Sequence, residues 1–189
     1  MKWILASASP RRKELLRELI PEFEIIPSRA EEIVEGAPPP EQLVQPLAKQ
    51  KAEDVAKTPE AAGKAVLGSD TVVALDGEIL GKPKDEADAK RMLKALSGRT
   101  HEVYTGVCIL FPNEGGRVAL TDVACTKVRF LKLSDERIDE YIATGSPMDK
   151  AGAYGIQDGN LVEGIEGSFS NVVGLPVELC AEMLKKLGV

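Results

Sequence analysis

The 189 residues carry 24 Lys and Arg against 30 Asp and Glu, a net charge of −6, and 43% of them are hydrophobic. That length builds one core, or two small lobes sharing it, and buries about 70% of the unfolded surface. The acidic balance argues against a general nucleic-acid coat, 4% aromatics argue against a stacking strand binder, and no uncharged run exceeds the 11 residues of 103–113, too few to span a bilayer.

The elements alternate along the chain. Residues 3–6 read as a short buried strand, too short for the apolar region of a signal peptide and followed at once by charges. Ser9 and Pro10 start a helix, with a hydroxyl cap and proline in the first position, and Leu15, Leu16, Leu19 and Ile20 form its apolar face. Residues 23–26 suggest a second strand. Residues 41–57 have helical period, with a kink or a restart expected at Pro46. Residues 65–68 and 71–75 are strand-like, and Asp76-Gly77 turns the chain back through 78–80 as a hairpin. Asp85 caps a helix over 85–97. Long strands over 102–111 and 118–130 are joined by a turn near 112–116. Ser134 caps a helix to about Ala143, and Pro176 starts the last one. Strands mixed with helices, including a hairpin, indicate a mixed-sheet α/β domain over 1–189.

The inventory of reactive groups is narrow. His101 is the only histidine, so a two-histidine metal site cannot form within one chain, and its place at a strand start favours a structural role. Cys108, Cys125 and Cys180 lie far apart in apolar surroundings, which suggests reduced core thiols and a cytoplasmic protein. What remains is chemistry by carboxylates, lysines, arginines and amides. A hard divalent cation acting on phosphate fits that inventory.

Five stretches place such groups together. The run from Leu5 to Lys13 takes a strand into a helix N-terminus. Small residues, Ser7, Ser9, Arg11 and Arg12 there suit an anion, and they equally describe a solvated basic turn with an ordinary cap. Asp70, set between two apolar triplets at a strand end, is costly to bury unless paired or metal-bound; a turn aspartate bonding its own backbone is the alternative. Lys82 follows Gly81 in a turn and alone reads as a surface lysine. Lys51 falls on the apolar face of its helix, where a snorkelling lysine is the simpler reading. Residues 149–157 mix small residues with polar groups; Gln157 could read a base edge, or the stretch is a packed loop.

Taken in order, these pieces resemble the Maf nucleoside-triphosphate pyrophosphatases. The matching segments are LASASPRRKELL (5–16), Glu31-Glu32, LAKQKA (47–52), GSDTVV (68–73), LGKP (80–83), LSGRTHEVYTGV (96–107), PMDKAGAYGIQ (147–157) and GSFSNVVGLP (167–176). The resemblance implies an elongated, twisted mixed sheet flanked by helices, with two lobes around a central cleft, as in the Maf and ITPase-like folds. It implies hydrolysis of a nucleotide to monophosphate and pyrophosphate, and the 149–157 stretch resembles the subfamily acting on dTTP and UTP. By position, Asp70 resembles the catalytic carboxylate, and Arg11, Thr71 and Gln157 match positions tied to substrate choice. Ser7, Arg12, Glu31, Lys51 and Lys82 match the polar lining of the cleft. Glu31 and Asp70 are the implied ligands of a divalent cation (Mg²⁺, Mn²⁺ or Co²⁺). A small-molecule nucleotide partner and a homodimer are implied; no nucleic acid or membrane is expected. Rival readings are 7-methyl-GTP specificity and a non-catalytic nucleotide-binding regulator of septum formation. The chain departs from the family pattern at Pro46, at Ser69 and in a shorter loop over 158–166.

Overall fold

The computed structural model describes residues 1–189. In chain order it has β1 (Trp3–Leu5), α1 (Pro10–Arg17), β2 (Glu24–Ile25), α2 (Pro40–Ala56), β3 (Ala65–Leu75), β4 (Glu78–Leu80), α3 (Glu86–Leu96), β5 (Thr100–Asn113), β6 (Gly116–Phe130), α4 (Asp135–Ala143), β7 (Val162–Glu166), α5 (Phe169–Val173) and α6 (Val177–Lys186). One seven-stranded mixed sheet runs in the order β2-β1-β3-β5-β6-β7, with β4 paired to β3. This is the expected mixed α/β architecture. Three helix starts are capped as the sequence indicates: the side chains of Ser9, Asp85 and Ser134 accept from the backbone N–H three residues on.

The long strands β3, β5 and β6 form the spine. One apolar cluster packs α3 and α4 against their region around Val73, Val103 and Val128. Two others sandwich the opposite end, one under α1 and α6 and one under α2. Strand β3 is continuous, where the sequence suggested a break at Ser69-Asp70. Its pairing with β5 runs unbroken from Val66 to Ala74 and sets Asp70 directly opposite Gly106. A turn or bulge at Asp70 is thereby ruled out, and the carboxylate sits in mid-strand rather than at a strand end.

Two features of the spine position the site. The first is a gap in the sheet. β1 and β4 pair with the same edge of β3, but the β1 pairing ends at Leu67 and the β4 pairing starts at Val73. Residues 68–72 therefore have no strand partner on that side. The turn from β1 into α1 forms one wall of this notch, and Gly81-Lys82 beyond β4 forms the other.

The second feature is the approach of α2. A Cβ on Gly68 would lie 2.3 Å from the Ala48 carbonyl oxygen, and one on Gly106 would lie 2.3 Å from that of Val44. Gly68, Asp70 and Gly106 share a sheet face, so these glycines let the helix backbone lie directly on it. That close seat also explains why Pro46 neither breaks nor restarts α2. Pro40 supplies the start, and the Gln42 carbonyl that Pro46 cannot satisfy is on the exposed side.

Other differences from the sequence reading are local. β7 and α5 fall in stretches with no clear period, and Cys125 is exposed on β6, unlike the buried Cys108 and Cys180. No helix is long and apolar enough to cross a membrane. Gly106→Ala should cost about 3 kcal/mol, because the new methyl must push α2 off the sheet. Urea unfolding measures this, and an unchanged midpoint would mean that the helix is not seated there.

Candidate active site

The turn after β1 is built from hydroxyls. Ser9 caps α1 and accepts from the Arg12 N–H (3.3 Å), while Ser7 Oγ accepts from the Ser9 N–H (3.2 Å). The first turn holds no acidic residue, so Arg11 and Arg12 sit at the positive end of the helix without local compensation.

Arg12 reaches across the notch. Its Nε donates to the Gly174 carbonyl (2.8 Å), its Nη2 to Thr71 Oγ1 (3.0 Å) and its Nη1 to Ser7 Oγ (3.4 Å). One guanidinium thus ties α1 to β3 and to the chain between α5 and α6. Burial pulls its pKa below the ordinary arginine value, Asp70 acts in the opposite direction, and Arg11 adds to the lowering. Thr71 is fixed further by Thr105, with 2.9 Å between their hydroxyls.

On the Thr71 face lies a solvent-open cleft. Ser9, Arg11, Arg12, Thr71, Lys82 and Gln157 supply its polar lining, and Val73, Val103, Tyr154 and Val172 its apolar wall. The lining, cationic on one side and apolar on the other, suits a ligand with an anionic end and a flat apolar end. Three 3-10 turns, Ser146–Asp149, Ala151–Ala153 and Ile156–Asp158, form the rim. Gly152, at φ 70°, packs on Val73 and donates its N–H to the Gly81 carbonyl (3.0 Å), which joins the rim to the Lys82 turn. Arg11 lies 3.5 Å from Asp149 on this rim. Lys82 and Gln157 are exposed and make no hydrogen bond or ion pair with the protein.

Asp70 projects from the other face of β3, as strand alternation requires of Thr71's neighbour. It is 7% exposed, and its Oδ1 lies 2.5 Å from Lys51 Nζ, presented by the closely seated α2. Oδ2 has no protein partner. Lys51 is also 3.0 Å from Glu32, so two carboxylates converge on one ammonium. The structure brings Glu32 rather than Glu31 to this point. Gln50 holds Ile33 by both backbone groups, accepting from its N–H (3.2 Å) and donating to its carbonyl (2.9 Å), which lays Glu32 against Lys51. Glu31 is exposed and makes no hydrogen bond or ion pair.

The sequence-predicted residues therefore form two groups on opposite faces of β3, and neither Asp70 nor Lys51 lines the cleft. Ser7, Arg11, Arg12, Thr71, Lys82 and Gln157 belong to the turn and the cleft, and Asp70 and Lys51 to the opposite face. Sequence reasoning missed Glu32 as the Lys51 partner, Asp149 as the Arg11 partner and the Gly174 carbonyl as the Arg12 anchor. The GSFSNVVGLP segment was a signal for the last of these, but no residue pattern shows which carbonyl of an irregular turn points inward.

The family model for Maf-like proteins matches residues 2–187. The chain belongs to the Maf family. A dTTP/UTP pyrophosphatase of Thermococcus gammatolerans is 51% identical over 98% of this chain and 96% of its own length. One from Agathobacter rectalis is 49% identical over 98% and 97%. Among solved structures, the Ham1 protein of Staphylococcus aureus shares the fold, with a TM-score of 0.57 at 15% identity, covering 98% of this chain and 99% of that one. The Maf chain described here is thus matched along its whole length, including both groups of site residues.

His101 has the structural place its sequence position suggested. It is 1% exposed, its Nε2 lies 2.7 Å from the Tyr154 hydroxyl, and its ring meets Phe130 and Tyr154 edge-on. Burial pushes its pKa down to about 4. The unfolded chain therefore binds the proton more readily, and stability falls as pH drops from about 6.5 toward 4. His101→Phe should remove that part of the slope. The stability gap between wild type and variant should narrow by about 2–3 kcal/mol between pH 7 and pH 4.5, read by denaturant titration; a constant gap would show that His101 titrates alike in both states.

Proposed function

We propose that this chain hydrolyses dTTP and UTP to the nucleoside monophosphate and pyrophosphate. The observation that carries the reading is a buried carboxylate with one free oxygen on one face of β3, next in the chain to Thr71, which lines a cationic cleft on the other face. The names of the relatives, all alike along the full chain, support the substrate class.

The triphosphate would lie against the turn from Ser7 to Arg12 and the Lys82 turn, with its base toward Gln157. Asp70 Oδ2 would take a proton from water, and that water would attack the α-phosphorus. The bond from the α-phosphorus to the α,β-bridging oxygen breaks, and the departing pyrophosphate gathers negative charge. Arg12, rigidly held by three acceptors, and the unpartnered Lys82 would stabilise that charge without reorganising. Lys51 would hold Asp70 in place through Oδ1. Gln157, with its amide free, would distinguish the pyrimidine edge from a purine.

Nowhere are three metal-ligating side chains grouped, so a divalent cation would be held by Asp70 and Glu31 or Glu32 together with the nucleotide's own phosphates. The carboxylates of Asp70 and Glu32 already converge on a single cationic position, filled by Lys51 Nζ, and their oxygens are hard donors. Glu31 lies one residue away. Such an ion, arriving with the nucleotide, would neutralise phosphate charge and polarise the α-phosphate. A non-catalytic regulator would have no use for a buried carboxylate paired by a helix lysine beside its binding cleft. The three free thiols support a reducing, cytoplasmic setting.

The test is pyrophosphate release from a panel of canonical nucleotides with Mg²⁺, Mn²⁺ or Co²⁺. Asp70→Asn should lower kcat at least a thousandfold and leave the protein folded, with Lys51 keeping Glu32 as its partner. Near-normal turnover by that variant would remove Asp70 from the chemistry, and no release from any nucleotide by the wild type would end the enzymatic reading.

A further inference from the structure

The cleft rim carries a second hydrogen-bonded cluster that the chemistry above does not use. Tyr141, on the last turn of α4, donates from its hydroxyl to Asp158 Oδ2 (2.5 Å). The same hydroxyl accepts from the Gly155 N–H (3.0 Å). Ser146 Oγ donates to the same Asp158 oxygen (2.6 Å). Gly155 and Asp158 flank Ile156-Gln157, so one buried phenol grips the chain on both sides of the glutamine.

Gly155 leaves room for this grip. A Cβ there would lie 3.2 Å from the Asp158 carboxylate and 2.9 Å from the Lys150 stem. Burial raises the Asp158 pKa, but the bonds from Ser146 and Tyr141, with the Lys150 and Arg11 charges, outweigh it and hold the carboxyl below its ordinary range. The acceptor therefore stays ionised across neutral pH, and its bonds are charge-assisted.

Gln157 itself is exposed and makes no bond to the protein. An amide that must choose between base edges loses discrimination if its backbone can drift. Ile156 packs on the apolar core and the Asp158 N–H closes the turn onto the Gly155 carbonyl, and the Tyr141 and Asp158 bonds lock the two ends of the stretch. We propose that Tyr141 and Asp158 are positioning residues for base selection, acting through the backbone of Gln157. This rests on the reading that Gln157 meets the base.

The experiment compares kcat/KM for dTTP and for a purine triphosphate, with melting temperatures, in four variants. Tyr141→Phe removes the hydroxyl but keeps the packed ring. It should raise KM for dTTP and cut the dTTP-to-purine ratio, each roughly five- to tenfold, with kcat within about twofold. Asp158→Ala should do the same. Asp158→Asn keeps an oxygen for the phenol and should restore most of the ratio. Gln157→Ala should lose the ratio outright.

A ratio unchanged in Tyr141→Phe while Gln157→Ala loses it would overturn the clamp and leave the base reading intact. A ratio unchanged in Gln157→Ala would overturn both. A fall in kcat/KM shared equally by all nucleotides, tracking a lower melting temperature, would show that the cluster is structural only and would also overturn the proposal.

Discussion

The ion pair between Asp70 and Lys51 is the constraint on which the rest of the site depends. A carboxylate in the middle of a buried central strand cannot stand alone, since an unpaired buried charge costs several kcal/mol. A lysine can meet it only if its helix lies closer to the sheet than side chains normally allow. Gly68, two residues before Asp70, and Gly106, directly across from it, remove the side chains that would hold α2 away. Ala48 and Ala52 on the helix complete the close seat. The glycines, the alanines and the lysine thus form one device: small residues set the distance at which an ammonium can serve a carboxylate.

The incomplete edge of β3 then makes that carboxylate useful. Asp70 and Thr71 point to opposite faces of the sheet, and in a fully paired sheet they would address separate spaces. Because the pairing with β1 ends at Leu67 and that with β4 starts at Val73, the edge of β3 between them is open. Arg12 fills this opening with bonds to Thr71, Ser7 and the Gly174 carbonyl. On the proposed reading, a ligand would have to lie against Arg12 over this edge to reach the cleft on one face and the acid on the other. Breaking the strand pairing, rather than adding a loop, creates the meeting point.

Much of this was legible in the sequence because the signals are local. The caps at Ser9, Asp85 and Ser134, the Asp76-Gly77 hairpin and the helical period of α3 and α6 depend on neighbours within one turn. The unusual residues were legible for the same reason: Lys51 on an apolar face and Asp70 among β-branched residues conflict with their surroundings, and such conflict marks a function. The failures were non-local. Continuity of β3 through Ser69-Asp70 is imposed by β5, which pairs across the polar residues as readily as across valine. The unbroken path of α2 through Pro46 is imposed by its seat on Gly68 and Gly106. The choice of Glu32 over Glu31 depends on Gln50, seventeen residues or more away, gripping the backbone of Ile33.

The cations of the cleft are not equivalent, and their differences suit an acidic protein that must take up a polyanion. Net charge is −6, so the average field opposes a triphosphate and attraction must be local. Arg12 is committed to three neutral acceptors and is already in place, which makes it a fixed wall rather than a grasping arm. Arg11 is held at 3.5 Å by Asp149, whose side chain is largely exposed, a contact weak enough for a phosphate to replace. Lys82 has no partner at all and is the free charge of the group. A phosphate chain entering the notch would meet a free cation, a lightly tethered one and a rigid one, and only the tethered one would need to exchange partners. Because Asp149 and Gln157 belong to the same rim, that exchange would link the phosphate end of the cleft to the base end through a single stretch of chain, the stretch gripped by Tyr141 and Asp158.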